Sequence, residues 1–174
     1  MRTIYLLISL VTFNLSAQEI KKVDSERSII NYTGKHFLHK WSAENKNISG
    51  LIQLENETIS NIGVIAKVSD FRSGNSNLDS NSLRVLDALK FPNVIFRSTS
   101  INQEDGQIKI DGIMNFHGIE KDISISAKVF KLDGSIQLSG KFSVSLTEFL
   151  VDRPSLLTMK VDDEINLEFE LYFN

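Results

Sequence analysis

Residues 165–173 read Ile-Asn-Leu-Glu-Phe-Glu-Leu-Tyr-Phe. Ile165, Leu167, Phe169, Leu171 and Phe173 alternate strictly with Asn166, Glu168, Glu170 and Tyr172. Successive side chains of an extended strand point to opposite faces, so this period makes one face apolar and the other polar. A helix would scatter both sets around its circumference. The stretch is therefore a strand with one side on a core. The pattern recurs upstream. Ile136, Leu138, Gly140, Phe142, Val144 and Leu146 alternate with Gln137, Ser139, Lys141, Ser143 and Ser145. Ile123, Ile125, Ala127 and Val129 alternate with Ser124, Ser126 and Lys128, and Ile108, Ile110, Gly112, Met114 and Phe116 with Lys109, Asp111, Ile113 and Asn115. Weaker strands are expected at about 28–34, 47–55, 59–68 and 93–101.

The connections carry turn signals: Asn56-Glu57, Glu104-Asp105-Gly106, His117-Gly118 and Asp133-Gly134. Asp-Gly between alternating runs predicts hairpins, because Gly accepts the positive φ that tight turns need. One segment departs from period two. Leu83, Leu86 and Leu89 recur at helical spacing and predict an inserted helix over about 78–90. Asp79 is its expected N-cap, and Phe91-Pro92 ends it, since a residue before Pro is pushed out of the α region. A second helical turn is expected near 147–151.

Eight amphipathic strands, mostly hairpin-linked, with one helix predict an all-β protein built as an antiparallel eight-stranded barrel. Closure removes unpaired edges and turns every apolar face inward. A barrel of eight strands is just wide enough to fill itself or to hold one slim ligand. Ala66, Gly112, Ala127 and Gly140 on the apolar faces either leave room or relieve strain at bends; the pattern alone leaves both open.

The chain has 174 residues, no Cys, 19 basic and 22 acidic groups, and 41% hydrophobic residues. The length suits one domain. Without a thiol there is no disulfide, Cys-zinc site or thiol nucleophile. The formal charge of −3 gives no basic footprint for nucleic acid. Arg2, the apolar run from Ile4 to Phe13 and the small residue Ala17 form a secretory leader, with cleavage expected after Ala17. The run is too short to span a bilayer as a helix. The expectation is a leader over 1–17, a single domain over 18–174, and a periplasmic or secreted location without stable membrane insertion.

Motifs for catalysis are missing from the sequence: there is no Gly-x-Ser-x-Gly elbow, His-Glu-x-x-His pair or phosphate loop. His36 and His39 are three apart, which on one strand places them on opposite faces; only a turn or helix aligns them. His117 is distant in sequence. No metal site, cofactor or enzymatic activity is expected. Arg97 and Arg153 are candidate head-group contacts, because a guanidinium pairs bidentately with phosphate.

Four stretches together resemble the YceI-like family over nearly all of 18–174. They are Val23-Asp24 with Ser28, Ile30, Gly34 and His39-Lys40-Trp41; Leu83 through Phe96 with Arg97-Ser98; Gly112 to Ile125; and Arg153-Pro154-Ser155-Leu156-Leu157 with Asp162-Asp163 and the last strand. The helix departs from the commoner family pattern in having no Arg-Asp or Phe-Phe pair. The resemblance implies an exported lipocalin-like barrel that carries or sequesters an amphiphilic lipid, of polyisoprenoid or isoprenoid quinone type, in its lumen. The apolar faces then supply the expected lining: Phe96, Met114, Phe116, Ile125, Phe142, Val144, Phe169 and Leu171. A solid-core barrel acting in interaction or stress response through its surface is the alternative.

Overall fold

The computed structural model describes residues 18–132, 134–156 and 158–174; the expected leader over 1–17 lies outside them. The strands are β1 (Gln18–Lys22), β2 (Ile29–His36), β3 (His39–Asn45), β4 (Ile48–Glu55), β5 (Thr58–Lys67), β6 (Asn93–Glu104), β7 (Gln107–Phe116), β8 (Ile119–Leu132), β9 (Ser135–Ser145), β10 (Ser155–Leu156), β11 (Met159–Lys160) and β12 (Glu164–Phe173). Ten of them form one antiparallel sheet in the order β1-β4-β5-β6-β7-β8-β9-β12-β2-β3, and β10 and β11 form a small separate hairpin.

The ten strands occupy eight positions around a curled, lipocalin-like barrel. β1 and β2 are two halves of one broken strand, as are β3 and β4. β1 pairs with β4 and β2 with β3, as in a single long hairpin interrupted midway. The ring then closes on β12. This strand pairs with β2 and, past the break, exchanges backbone bonds with the end of β1, Lys22 N–H to Asn174 O and Asn174 N–H to Lys22 O, both 2.9 Å. The eight strands expected from alternation are all present, and β1 and β3 are the additional halves. Polar groups hold each break. At the first, the Ser28 Oγ accepts from Tyr172 N–H at 2.9 Å, and Ser28 N–H donates to Asp24 O at 3.0 Å. At the second, Asn45 accepts from Asn47 N–H at 2.8 Å and donates to Lys67 O at 3.1 Å. Both side chains are fully buried.

Tight turns at Asn56-Glu57, Asp105-Gly106 and His117-Gly118 have positive φ at both central residues. This primed geometry matches strand twist, which is why they link hairpins. The helix α1 spans Ser76–Val85, shorter than 78–90. Asn75 caps it, accepting from Asn77 N–H at 3.0 Å and Leu78 N–H at 3.2 Å. Asp79 instead accepts from Ser73, through its hydroxyl at 2.6 Å and its N–H at 2.9 Å. A 3-10 turn covers Thr147–Phe149, as expected near 147–151.

The core runs through the barrel, with Ile52, Ile108, Leu138, Phe149 and Phe173 almost wholly buried. The inward glycines are not empty space. A Cβ on Gly140 would lie 2.8 Å from Cζ of Phe169, and one on Gly112 would lie 2.6 Å from the Phe96 ring. Aromatic rings already fill those gaps, so room for a ligand lies elsewhere.

Candidate functional site

The loops at one end of the barrel carry α1, and the side chains beneath that helix do not fill the interior. Met114 and Phe116 come from the end of β7, Val144 from the end of β9, and Ile165 and Leu167 from the start of β12. Tyr32 lies midway along β2 and His36 ends it, while His39 and Trp41 begin β3. α1 and its tail lie across the opening and contribute Leu78, Leu83, Val85 and Leu86. No residue of α1 is itself fully buried. These groups enclose a cavity of about 460 Å³. Its walls are mainly aliphatic and aromatic. Exposed lining residues such as His39, Asn81, Arg84 and Pro154 mark its mouth.

Helix placement follows from the local sequence. The Asn75 cap starts the helix, and its apolar positions turn toward the barrel. Tyr32 Oη and Ser82 Oγ lie 3.5 Å apart, linking the helix to β2. Asp79 at the cavity edge is held below the usual carboxylate range, first by the Ser73 hydroxyl.

The two-residue turn Phe37-Leu38 makes His36 and His39 direct cross-strand partners. Their ring centroids are 5.9 Å apart, and His39 lies 6.0 Å from Trp41. A turn thus aligns the two rings that a single strand would have separated. The His36 Nε2 bonds to the Met159 carbonyl at 3.1 Å, and its Nδ1 is buried without a protein partner. His117 is elsewhere: its Nδ1 bonds to the Phe149 carbonyl at 3.1 Å and its ring meets Phe91 edge-on at 4.7 Å. The three histidines do not converge. Among the described residues, none of them pairs with a carboxylate, and no cluster of three metal-ligating side chains is present.

Of the eight expected lining residues, Met114, Phe116 and Val144 line this cavity. Phe96, Ile125, Phe169 and Leu171 are buried in the packed barrel core, with Phe142 packed against it. Arg97 is exposed and pairs with Glu120 at 3.2 Å, away from the cavity. Arg153 lies beside the mouth, its Nε donating to Val161 O at 2.9 Å and its guanidinium 3.7 Å from Asp163. The Asp163 carboxyl is held low, chiefly by the Ser145 hydroxyl, then by Thr147 and Arg153. The sequence reading missed Tyr32, Trp41 and the helix's own apolar face as lining. The helical spacing of Leu83 and Leu86 held that signal: an amphipathic helix over an open barrel end faces its lumen.

Residues 22–173 match the YceI-like domain. The chain belongs to the YceI-like family. It is similar to Protein YceI of Salmonella newport, 24% identical over 115 residues, an alignment spanning 62% of this chain and 60% of that protein. Among solved structures, Burkholderia cenocepacia BcnA superposes with a TM-score of 0.78 at 17% identity, over 86% of this chain and 98% of the other. A polyisoprenoid binding domain from Saccharophagus degradans, implicated in plant cell wall breakdown, superposes with a TM-score of 0.75 at 10% identity, covering 88% and 97% of the two chains. These likenesses establish a shared barrel. The chemistry of this YceI-like chain rests on its own cavity.

Proposed function

We propose that this YceI-like protein binds an amphiphilic lipid of polyisoprenoid type in the cavity beneath α1 and carries or sequesters it outside the cytoplasm. The single observation that carries the reading is the cavity of about 460 Å³ with an apolar wall and one open end. Cavities of roughly 300–1,000 Å³ hold drug-sized molecules. Burial contributes about 0.8 kcal/mol per methylene, so a five-carbon isoprene unit adds about 4 kcal/mol before costs. Three such units, about 12 kcal/mol before costs, exceed the roughly 8 kcal/mol of micromolar binding. A lipid chain therefore needs no strong polar anchor here.

The printed description of the Saccharophagus degradans domain as polyisoprenoid binding supports the same ligand class. Met114 and the aromatic lining suit an adaptable apolar guest. The reading is one of binding without a chemical step. Among the described residues no carboxylate pairs with the cavity histidines, and His36 Nε2 is already engaged by Met159. Placement outside the cytoplasm rests on the leader-like residues 1–17.

Native mass spectrometry of protein purified from a membrane-containing host tests the proposal. Co-purification of a prenyl lipid, displaced by a competing alkyl chain, is the expected result. Repeated recovery of lipid-free protein that also fails to take up added prenol overturns it.

A further inference from the structure

The mouth of the cavity is ringed by apolar side chains that the fold leaves in water. Phe37 and Leu38, at the β2–β3 turn, are 50% and 56% exposed. Met159, 49% exposed, stands beside them, because the His36 ring on that hairpin bonds to the Met159 carbonyl. Across the opening, Leu89 beyond the end of α1 is fully exposed and Leu150 is 68% exposed. The Phe91 ring packs against Gly118 and His117, and His117 bonds to Phe149 O. That chain of contacts ties the Leu89 and Leu150 segments to one side of the mouth.

Burial of apolar surface is the main driving force of folding, so five large apolar tips in water at one rim call for a partner. Leu150 adds a second sign, since it adopts a left-handed conformation at φ 54°. Side chains other than Gly do so at a cost, here with the leucine presented outward.

Charge on the Phe37-Leu38-Met159 side, where Lys35, Lys40 and Lys160 stand against Asp162, points to the partner. Lys35 and Lys40 flank the Phe37-Leu38 tip, Lys90 follows Leu89 and Lys160 follows Met159, all exposed. Lys40, Lys90 and Lys160 form no ion pair with a described carboxylate; Lys35 lies 4.0 Å from Asp162. Glu148 and Asp152 flank Leu150, and Asp87 precedes Leu89 by two, so the rim is mixed there. The basic tips nonetheless stand out on a chain with formal charge −3. Apolar side chains with adjacent lysines are the pattern of an interfacial contact with anionic lipid.

We infer that the open end of the barrel docks reversibly on an anionic lipid bilayer, inserting Phe37, Leu38, Leu89, Leu150 and Met159 at the level of the head groups. No described helix is long and apolar enough to cross a membrane, and the rim needs only to enter its surface. The docked orientation turns the cavity mouth toward the bilayer, so an apolar ligand passes between them without crossing water. That last step rests on the cavity's being a lipid site; the docking itself does not.

Co-sedimentation tests the docking, using vesicles of phosphatidylglycerol with phosphatidylethanolamine against vesicles of phosphatidylcholine alone. The protein is expected to bind the anionic vesicles and to leave them at high salt. Phe37→Ser with Leu38→Ser, and separately Lys40→Gln with Lys160→Gln, are expected to weaken binding, by about fivefold for each lysine removed. Phe130→Ser with Leu132→Ser removes two exposed apolar residues at the other end and is expected to leave binding unchanged. Absence of binding by the wild-type chain, or equal losses at both ends, overturns the docking. Native mass spectrometry on the same samples separates the two ideas. Lipid in the cavity without vesicle binding sinks the docking alone, and vesicle binding with an always empty cavity sinks the carrier reading alone.

Discussion

Gly140 and Phe169 are direct cross-strand partners on β9 and β12, and the Phe169 ring lies over the bare Cα of Gly140. A Cβ at position 140 would meet Cζ of Phe169 and the backbone oxygen of Ser126, both at 2.8 Å. The ring could turn aside, but the β8 backbone cannot. Gly140→Ala is expected to destabilise the protein by about 1–3 kcal/mol, the usual scale of overpacking. Gly63 has nothing within 4 Å of its added Cβ. Gly63→Ala is therefore expected to be neutral or to stabilise by up to about 1 kcal/mol, by restricting the unfolded chain. Urea unfolding of the two variants checks the contrast. Equal midpoints would mean that the glycine is not a seat for the ring.

The boundary between cavity and packed core makes a second prediction. Val144 borders open space, whereas Ile125 sits in the filled barrel. Val144→Phe places extra volume where the ligand would lie. It is expected to lower prenol binding at least tenfold, about 1.4 kcal/mol, with little loss of stability. Ile125→Val is expected to cost about 0.5–1.5 kcal/mol of stability and to leave binding alone. Fluorescent prenyl displacement beside thermal melting measures both. If Ile125→Val weakens binding as much as Val144→Phe, the ligand lies deeper in the barrel than the cavity.

These two cases show what the sequence could reveal. Period two identified the apolar faces of β7, β8, β9 and β12, because each pleated strand sorts its own side chains. It could not say how far along those faces the packing stays solid. Phe96 and Phe169 carry the same inward signal as Met114 and Val144, yet their rings fill the gaps over Gly112 and Gly140. That distinction depends on which residues meet across strands. The broken strands were also hidden, since β1 and β3 carry irregular polar runs whose pairing is set by partners far along the chain. The His36–His39 juxtaposition depended on a turn at Phe37-Leu38, which lacks the Gly or Asn that advertises one. Asp79 had the right residue type for a cap, but Asn75 sat one turn earlier with a free amide pair to accept.

Asp163 predicts a pH dependence. Its carboxylate accepts from Ser145 Oγ at 2.6 Å, Thr147 N–H at 2.9 Å and Thr147 Oγ at 2.8 Å, anchoring the turn that follows β9. The Ser145 bond leads the causes that hold its pKa below the ordinary carboxylate value. A depressed folded pKa means stability that is fully present above the unfolded pKa, near 3.9, and lost as pH falls through the folded value. Asp163→Asn is expected to cost about 1 kcal/mol at neutral pH. The gap to the wild type should shrink as the solution is acidified below about pH 4. Unfolding free energies across that range test it; a gap that stays constant would remove the charge from the account.

The break between β3 and β4 predicts a sharper pH effect of opposite sign. Asn45 is fully buried and acts in both directions, its oxygen accepting from Asn47 N–H and its amide donating to Lys67 O. Asn45→Ala orphans both backbone groups and is expected to cost about 1–3 kcal/mol for each one left unsatisfied. Asn45→Asp keeps the shape and the acceptor but not the donor, and it buries a charge when ionised. Burial raises a carboxyl pKa above its unfolded value, so the penalty grows as pH rises above about 4. The protonated acid regains an O–H able to donate to Lys67 O. Asn45→Asp is therefore expected to unfold more easily at neutral pH than near pH 4, relative to wild type at each pH. Urea titrations at the two pH values measure this. An Asn45→Asp penalty independent of pH would show that water reaches the break and that the strand interruption is not sealed by this side chain.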